Sequence, residues 1–160
     1  SRGLGDVYKR QALDMNILVY TRTPREEEEN VHYTDLETVL KNSDYVSLHC
    51  PLTPATRHLI NADTLVLMKP TAFLINTSRG ALIDEPALIK ALQEHKIAGA
   101  GLDVQETEPP VEDNPLYTLD NVILTPHMGW KGLETRQRLL SILKGNIDGF
   151  INGKPVNVVS

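Results

Sequence analysis

The stretch TAFLINTSRGALIDEPALIKALQEHKIAGAGLDV, residues 71–104, decides the fold. Ala72–Asn76 sets Phe, Leu and Ile in succession, the pattern of a short buried strand. It ends in the polar turn Thr77-Ser78-Arg79-Gly80. Asp84 then stands where a helix N-cap belongs, with Pro86 in the first turn of the helix it opens. Leu88, Ile89 and Leu92 give that helix one apolar side. Ala98–Val104 is glycine-rich and reads as a second strand with close neighbours. Strand, helix and strand joined by short loops predict parallel pairing.

The same alternation extends in both directions. Upstream, Asn16–Thr21 is a β-branched-rich strand. The acidic run Glu26–Glu29 is a solvated loop, and Thr34-Asp35-Leu36-Glu37 is a capping-box pattern with Thr34 as N-cap and Glu37 reaching back. Leu36, Val39 and Leu40 form the helix's apolar face, and Tyr45–His49 is the next strand. Cys50–Thr56 is turn-rich with two prolines, and Ala62–Met68 reads as a short helix. Downstream, Glu106–Pro115 is a polar, proline-rich loop and Asn121–Thr125 a strand. Leu133–Phe150 is a long amphipathic helix with Leu139, Ile142, Leu143, Ile147 and Phe150 on one stripe. The fold class expected from this alternation is α/β, a parallel sheet with helices on its faces.

Composition narrows the function. The chain has 160 residues, 41% hydrophobic and 23% charged, with a formal net charge of -5. The length suits one core. No run approaches the ~18 apolar residues of a membrane span. The acidic balance argues against a nucleic-acid partner, since phosphate binding needs clustered Lys and Arg. The single cysteine, Cys50, excludes an internal disulfide and fits a reducing cytoplasm. His49 beside Cys50 has no further ligand at metal spacing, so no metal is expected.

In open parallel sheets, ligands sit beyond the carboxyl ends of the strands. His49-Cys50, Thr77–Arg79, Asp103–Glu108 and His127 each follow a predicted strand, and so belong to one rim. Arg79, Glu108 and His127 are a useful set there. A histidine can accept a hydroxyl proton and return it, a carboxylate on its far nitrogen fixes the tautomer, and an arginine clamps a substrate carboxylate. These groups suffice to position an α-keto acid and move its proton.

The motifs Asn76-Thr77-Ser78-Arg79-Gly80, Gly99-Ala100-Gly101-Leu102-Asp103-Val104, Glu106-Thr107-Glu108-Pro109 and Thr125-Pro126-His127, in this order, resemble the D-isomer-specific 2-hydroxyacid dehydrogenase family. The resemblance runs from about Asn16 to Val159. Trp130 to Leu139 and the Gly153–Val158 ending look most like the glycerate dehydrogenase (hydroxypyruvate reductase) branch. The resemblance implies that the parallel sheet is a Rossmann-like nucleotide-binding domain, and that the protein is an oxidoreductase moving hydride between NAD(P) and a small D-2-hydroxy acid such as glycerate or glyoxylate. Arg79 would bind the substrate carboxylate and carbonyl, His127 would be the acid/base, and Glu108 would pair with it. Asp103 would contact the nicotinamide carboxamide. Cys50, Pro51, Thr56, Thr77, Ser78 and the Gly129 backbone would line the cofactor. The family implies a homodimer. A non-enzymatic dinucleotide-sensing corepressor is the alternative on the same fold, and a formate dehydrogenase relative is weaker, because its catalytic His is usually paired with Gln.

NAD-preferring sites usually carry an acid at the end of the second strand for the ribose 2′-hydroxyl. Thr21 stands there instead, with Arg22 and Arg25 to meet a 2′-phosphate, which favours NADP over NAD. The sequence also departs from the family. Gly3-Leu4-Gly5 opens the dinucleotide fingerprint, but Tyr8 occupies the third glycine position, and the preceding strand is reduced to Ser1-Arg2. Asp6–Gln11 resembles the translation of a transposase adaptor end. Residues 1–12 are therefore expected to be artefactual or damaged, 13–130 a partial NAD(P)-binding domain, and 131–160 a helix and tail that join a substrate domain. Loss of the central strand predicts a gap between Asn16–Thr21 and Tyr45–His49. A fragment of this kind is expected to be inactive alone.

Overall fold

The computed structural model describes residues 13–23 and 30–159. The readings made on Gly3, Gly5, the opening strand, Asp6–Gln11, Arg25 and the acidic run fall outside these residues. The chain divides into two compact units, Ser1–Pro126 and His127–Ser160.

In the first unit, β1 (Ile17–Val19) pairs in parallel with β2 (Val31–Tyr33), Ile17 opposite Val31. Helix α1 (Leu36–Asn42) leads to β3 (Tyr45–Leu48), and a one-turn helix α2 (Ala62–Leu65) to β4 (Phe73–Asn76). Helix α3 (Glu85–Gln93) connects β4 to β5 (Gly99–Leu102), and β6 (Val122–Leu124) completes the sheet. The four later strands form a parallel sheet in the order β3-β4-β5-β6, separate from the β1-β2 pair among the described residues. This matches the doubly wound order 3-2-1-4-5-6 with its central position unfilled by those residues. The gap expected between Asn16–Thr21 and Tyr45–His49 turns on residues 1–12, which lie outside the described residues.

Burial explains the layering. Leu74 on β4 is wholly buried, as are Leu40, Leu65, Leu82, Leu88, Leu92 and Ile97 from the surrounding helices and loops. Asp84 caps α3 by accepting from the Ala87 amide, with Pro86 in the first turn, as expected. The glycines of β5 do admit a close neighbour. A Cβ on Gly99 would sit 2.5 Å from the Asn121 carbonyl oxygen and 3.0 Å from the Phe73 ring.

Three local expectations need correction. The strand Val31–Tyr33 is absent from the sequence reading, because three residues are too few to show a period. The N-cap of α1 is Asp35, not Thr34: Asp35 Oδ1 accepts from the Thr38 amide at 2.8 Å. Thr34 is held back because its own amide donates to the Val19 carbonyl at 3.0 Å, continuing the β1-β2 ladder. Glu37 turns to Lys41 instead of reaching back. The helix expected over Ala62–Met68 stops at Leu65, after which Leu67 and Met68 bond to carbonyls three residues back. Asn61 and Thr64 form the capping box there.

The second unit is dominated by α4 (Leu133–Ile151), none of whose residues is buried. Its expected apolar stripe is present and exposed: Leu139 58%, Leu143 51%, Phe150 77%. Arg136 stacks over Trp130, 5.8 Å from the ring centre. No helix among the described residues is long and apolar enough to cross a membrane.

Two truncations should separate core from surface. Leu92→Ala is expected to cost about 2–5 kcal/mol, through lost burial and a residual cavity. Leu143→Ala on the exposed stripe should change stability by less than about 0.5 kcal/mol. Urea denaturation followed by circular dichroism measures both.

Candidate functional site at the carboxyl edge of the sheet

The turn after β4 is built by one buried side chain. Asn76 is fully buried at the end of the strand. Its Oδ1 accepts from the Ser78 amide at 3.0 Å, and its Nδ2 donates to the Arg79 carbonyl at 2.9 Å. Its backbone carbonyl accepts from the Asp103 amide at 2.9 Å, which ties the turn to the end of β5. Ser78 Oγ donates to the Leu48 carbonyl at 2.8 Å, tying the same turn to the end of β3. Thr77, Ser78 and Arg79 therefore sit between the ends of two neighbouring strands. Arg79 itself is exposed, and its Nη1 donates to the Ser78 carbonyl at 2.7 Å.

The turn also lies on the loop that follows β5. A Cβ on Gly80 would stand 1.8 Å from the Gln105 carbonyl oxygen and 2.5 Å from the Glu106 amide nitrogen, so only glycine fits. This loop carries Asp103 and Glu108. Asp103 is buried, and its Oδ1 accepts from Thr125 Oγ1 at 2.5 Å, joining the ends of β5 and β6. Glu108 is exposed, with Oε1 accepting from the Gln105 amide at 3.3 Å. After β3, the segment Cys50–Thr56 is closed by Thr56 Oγ1, which donates to the Pro51 carbonyl at 2.7 Å and accepts from the Thr53 amide at 2.8 Å. Cys50 is half-buried, and burial pushes its thiol up, so it remains protonated and a poor nucleophile.

Three of the predicted rim segments, Cys50–Thr56, Thr77–Arg79 and Asp103–Glu108, are thus adjacent at one sheet edge. His127 opens the second unit, three residues after the end of β6, and Gly129 belongs to that unit as well. His127 has φ of 50°, a left-handed backbone that non-glycine residues adopt infrequently. Thr21 and Arg22 are exposed after β1, in the two-stranded sheet.

A network that sequence reasoning missed lies beside the site. Glu106 Oε1 accepts from Arg57 Nη2 at 2.9 Å and pairs with His58 Nε2 at 2.6 Å, while Oε2 accepts from the Glu85 amide at 3.3 Å. Glu85 answers, its Oε2 accepting from the Glu106 amide at 2.9 Å. Asn114 Nδ2 donates to Glu85 Oε1 at 2.7 Å and to Gln105 Oε1 at 3.0 Å. Burial pushes the Glu106 carboxyl up. The His58 bond, the Glu85 amide and the charges of His58 and Arg57 more than offset this and hold it below the usual carboxylate value. The available sequence signal is Glu106 itself, inside the motif Glu106-Thr107-Glu108-Pro109, but its partners are 21, 48 and 49 residues away.

Comparison with known proteins agrees with this architecture. Residues 6–129 match the family model of the D-isomer specific 2-hydroxyacid dehydrogenase, NAD binding domain. A hydroxypyruvate reductase of Blautia hydrogenotrophica is 45% identical over 152 residues, 94% of this chain and 47% of its own. A glyoxylate reductase of Thermococcus litoralis is 49% identical over 150 residues, 91% of this chain and 45% of its own. The crystal structure of the TT0316 protein from Thermus thermophilus superposes with a TM-score of 0.92 at 41% identity, covering 99% of this chain and 50% of that one. The fold is a Rossmann-like nucleotide-binding domain, and the chain belongs to the D-isomer specific 2-hydroxyacid dehydrogenase family. It spans about half the length of the curated relatives it matches.

Glycine substitutions and acid titration test this construction. Gly80→Ala should destabilise by about 1–3 kcal/mol through overpacking. Gly145→Ala on α4, where an added Cβ meets nothing within 4 Å, should instead stabilise by about 0.5–1 kcal/mol. Thermal melts of the two variants give opposite shifts. A carboxyl held below its unfolded value stabilises fully above the ordinary glutamate value, ~4.3, and loses that contribution as pH falls through the folded value. The stability difference between the wild type and Glu106→Gln should therefore be fully present at neutral pH and shrink as pH falls through the folded value, which lies below the ordinary glutamate value. Denaturation midpoints along an acid series measure it.

Proposed function

We propose that this chain is the cofactor-binding portion of a reductase that moves hydride between a nicotinamide dinucleotide and a small D-2-hydroxy acid of the glycerate or glyoxylate type. The observation that carries the reading is the seating of the Arg79 turn directly on the loop that bears Glu108, at the carboxyl edge of a parallel sheet. That edge is where such sheets bind ligands.

The donor set suits the nicotinamide end of the cofactor. Asp103 offers an acceptor to a carboxamide NH2, and Cys50, Pro51, Thr56, Thr77 and Ser78 supply a wall of small and hydroxyl-bearing groups on adjacent loops, with Gly129 contributing backbone. When bound, the cofactor supplies or accepts the hydride at its nicotinamide ring. The protein's own groups do the rest. Arg79 holds the substrate carboxylate and orients the carbonyl through two N–H donors. His127 gives a proton to the carbonyl oxygen during reduction and takes it back during oxidation. Glu108 pairs with His127, fixing its tautomer and favouring the protonated form. Thr21 in the place of an acid, with Arg22 beside it, favours NADP over NAD. The complete protein works in the cytoplasm as a homodimer, and the domain division runs near residue 130.

Activity tests this directly. The complete protein, assayed by NAD(P)H oxidation with glyoxylate and hydroxypyruvate, should reduce both. His127→Ala should lower kcat by about 10²–10⁴-fold, the usual loss on removing a general acid. Turnover equal to wild type in that variant would remove His127 from its role. The 160-residue chain assayed by itself should show little turnover.

A further inference from the structure

We infer that Glu106 is a positioning residue, whose carboxylate fixes the segment bearing Glu108 against the turn bearing Arg79. The inference rests on the function proposed above for those two residues.

Glu106 receives Arg57 and His58 from the loop after β3, and the Glu85 amide from the first turn of α3. One side chain therefore joins three separate parts of the carboxyl edge. An isolated surface ion pair is worth little, because water competes and two long side chains must be ordered. This pair is different in kind. The Glu106 side chain is 20% exposed, both of its oxygens are engaged, and its backbone amide is held in return by Glu85. Glu85 and Glu106 each accept the other's backbone amide, and Arg57, His58 and Asn114 donate into their remaining oxygens.

The path to the site is short. Gln105, next to Glu106, has its carbonyl against Gly80, and its amide donates to Glu108 Oε1. Asn114, which is buried, grips the Gln105 side chain as well. Fixing the Glu106 carboxylate thus fixes the Gln105–Glu106 peptide on which the Arg79–Gly80 turn rests, and sets the amide that Glu108 bonds. Glu106 is not itself a proton carrier in this arrangement, since its carboxylate is held ionised by its donors. Misplacing a catalytic group by about 1 Å can cost ~10²-fold in rate, so a residue that only holds the segment still governs turnover.

The test compares Glu106→Ala, Glu106→Gln and a control, Glu37→Ala, whose carboxylate pairs with Lys41 on helix α1. Amide hydrogen exchange of the 160-residue chain is read by mass spectrometry. Exchange over residues 103–109 and 56–60 should rise about tenfold in Glu106→Ala and about threefold in Glu106→Gln, with β3, β4 and β5 unchanged. Glu37→Ala should leave all these segments as in wild type. In the complete protein, Glu106→Ala should lower kcat for glyoxylate about 10–100-fold while KM for the cofactor stays within about twofold, and Glu106→Gln should recover most of the loss. Unchanged exchange over 103–109 overturns the inference, and so does loosening spread equally over the strands. A loosened segment with wild-type kcat overturns it too. A wild-type protein that reduces no keto acid would defeat the proposed function instead, leaving the exchange ranking to decide whether Glu106 orders the segment. If the alanine variant fails to fold, the ranking of Glu106→Gln above wild type decides it.

Discussion

The carboxyl edge of the sheet depends on a single buried amide. Asn76 ends β4 inside the core, where an unpaired amide would cost about 1–3 kcal/mol. It avoids that cost by accepting from Ser78 and donating to Arg79, and these two bonds dictate the turn. The same turn then reaches both neighbouring strands, through Ser78 to Leu48 and through the Asn76 carbonyl to Asp103. A requirement of the core, satisfaction of a polar group, thereby becomes a requirement on where a guanidinium stands. Arg79 can be exposed and still well placed, because its backbone is fixed from below.

The second layer of order is electrostatic and lies nearer the solvent. Glycine at position 80 lets two loops touch backbone to backbone, but contact alone does not hold them there. The Glu85–Glu106 pair supplies the hold. One oxygen of each carboxylate accepts the other residue's amide, and the second accepts from Arg57 and His58 or from Asn114, so all four oxygens are engaged. Strand geometry gives the coarse placement of the rim, and this network gives the fine one.

Local features of this arrangement are readable in the sequence and non-local ones are not. The β4–α3–β5 unit is legible because its signals lie within a few residues of their effects: an apolar run, then Asp84 and Pro86 opening a helix. Thr34 misleads for an instructive reason. Its capping-box pattern is local, but its amide is claimed by Val19 in a ladder the pattern cannot reveal. The strand holding that ladder, Val31–Tyr33, is only three residues long. At the rim, Arg79 and Glu108 are legible through motifs. Glu106 passes for part of a polar loop because its meaning depends on residues tens of positions away. Asn76 is one letter of a motif, and its role emerges only with its burial.

The two units owe their order to different forces. The first buries leucines and isoleucines from both sides of a sheet, each worth about 1.5–3 kcal/mol when fully removed from water. The second has no buried residue along its 19-residue helix. What holds α4 is local: the Lys144–Asp148 pair and the return of the tail, where the Lys154 amide bonds the Gly149 carbonyl. Pairs of the first kind are worth about 0.3–0.5 kcal/mol. That return needs glycine, since a Cβ at 149 would meet the Lys154 carbonyl oxygen at 2.8 Å. Yet Gly145 and Gly149 each weaken the helix by about 1 kcal/mol relative to alanine. Local bonds of this size do not offset that, and the stripe through Leu139, Leu143 and Phe150 is exposed, so α4 taken by itself is a marginal helix. Opening of α4, which buries no residue, should cost less than opening of the sheet, whose leucines are buried. Arg79 and Glu108 therefore belong to the unit with the buried core, while His127 opens the unit whose helix buries nothing.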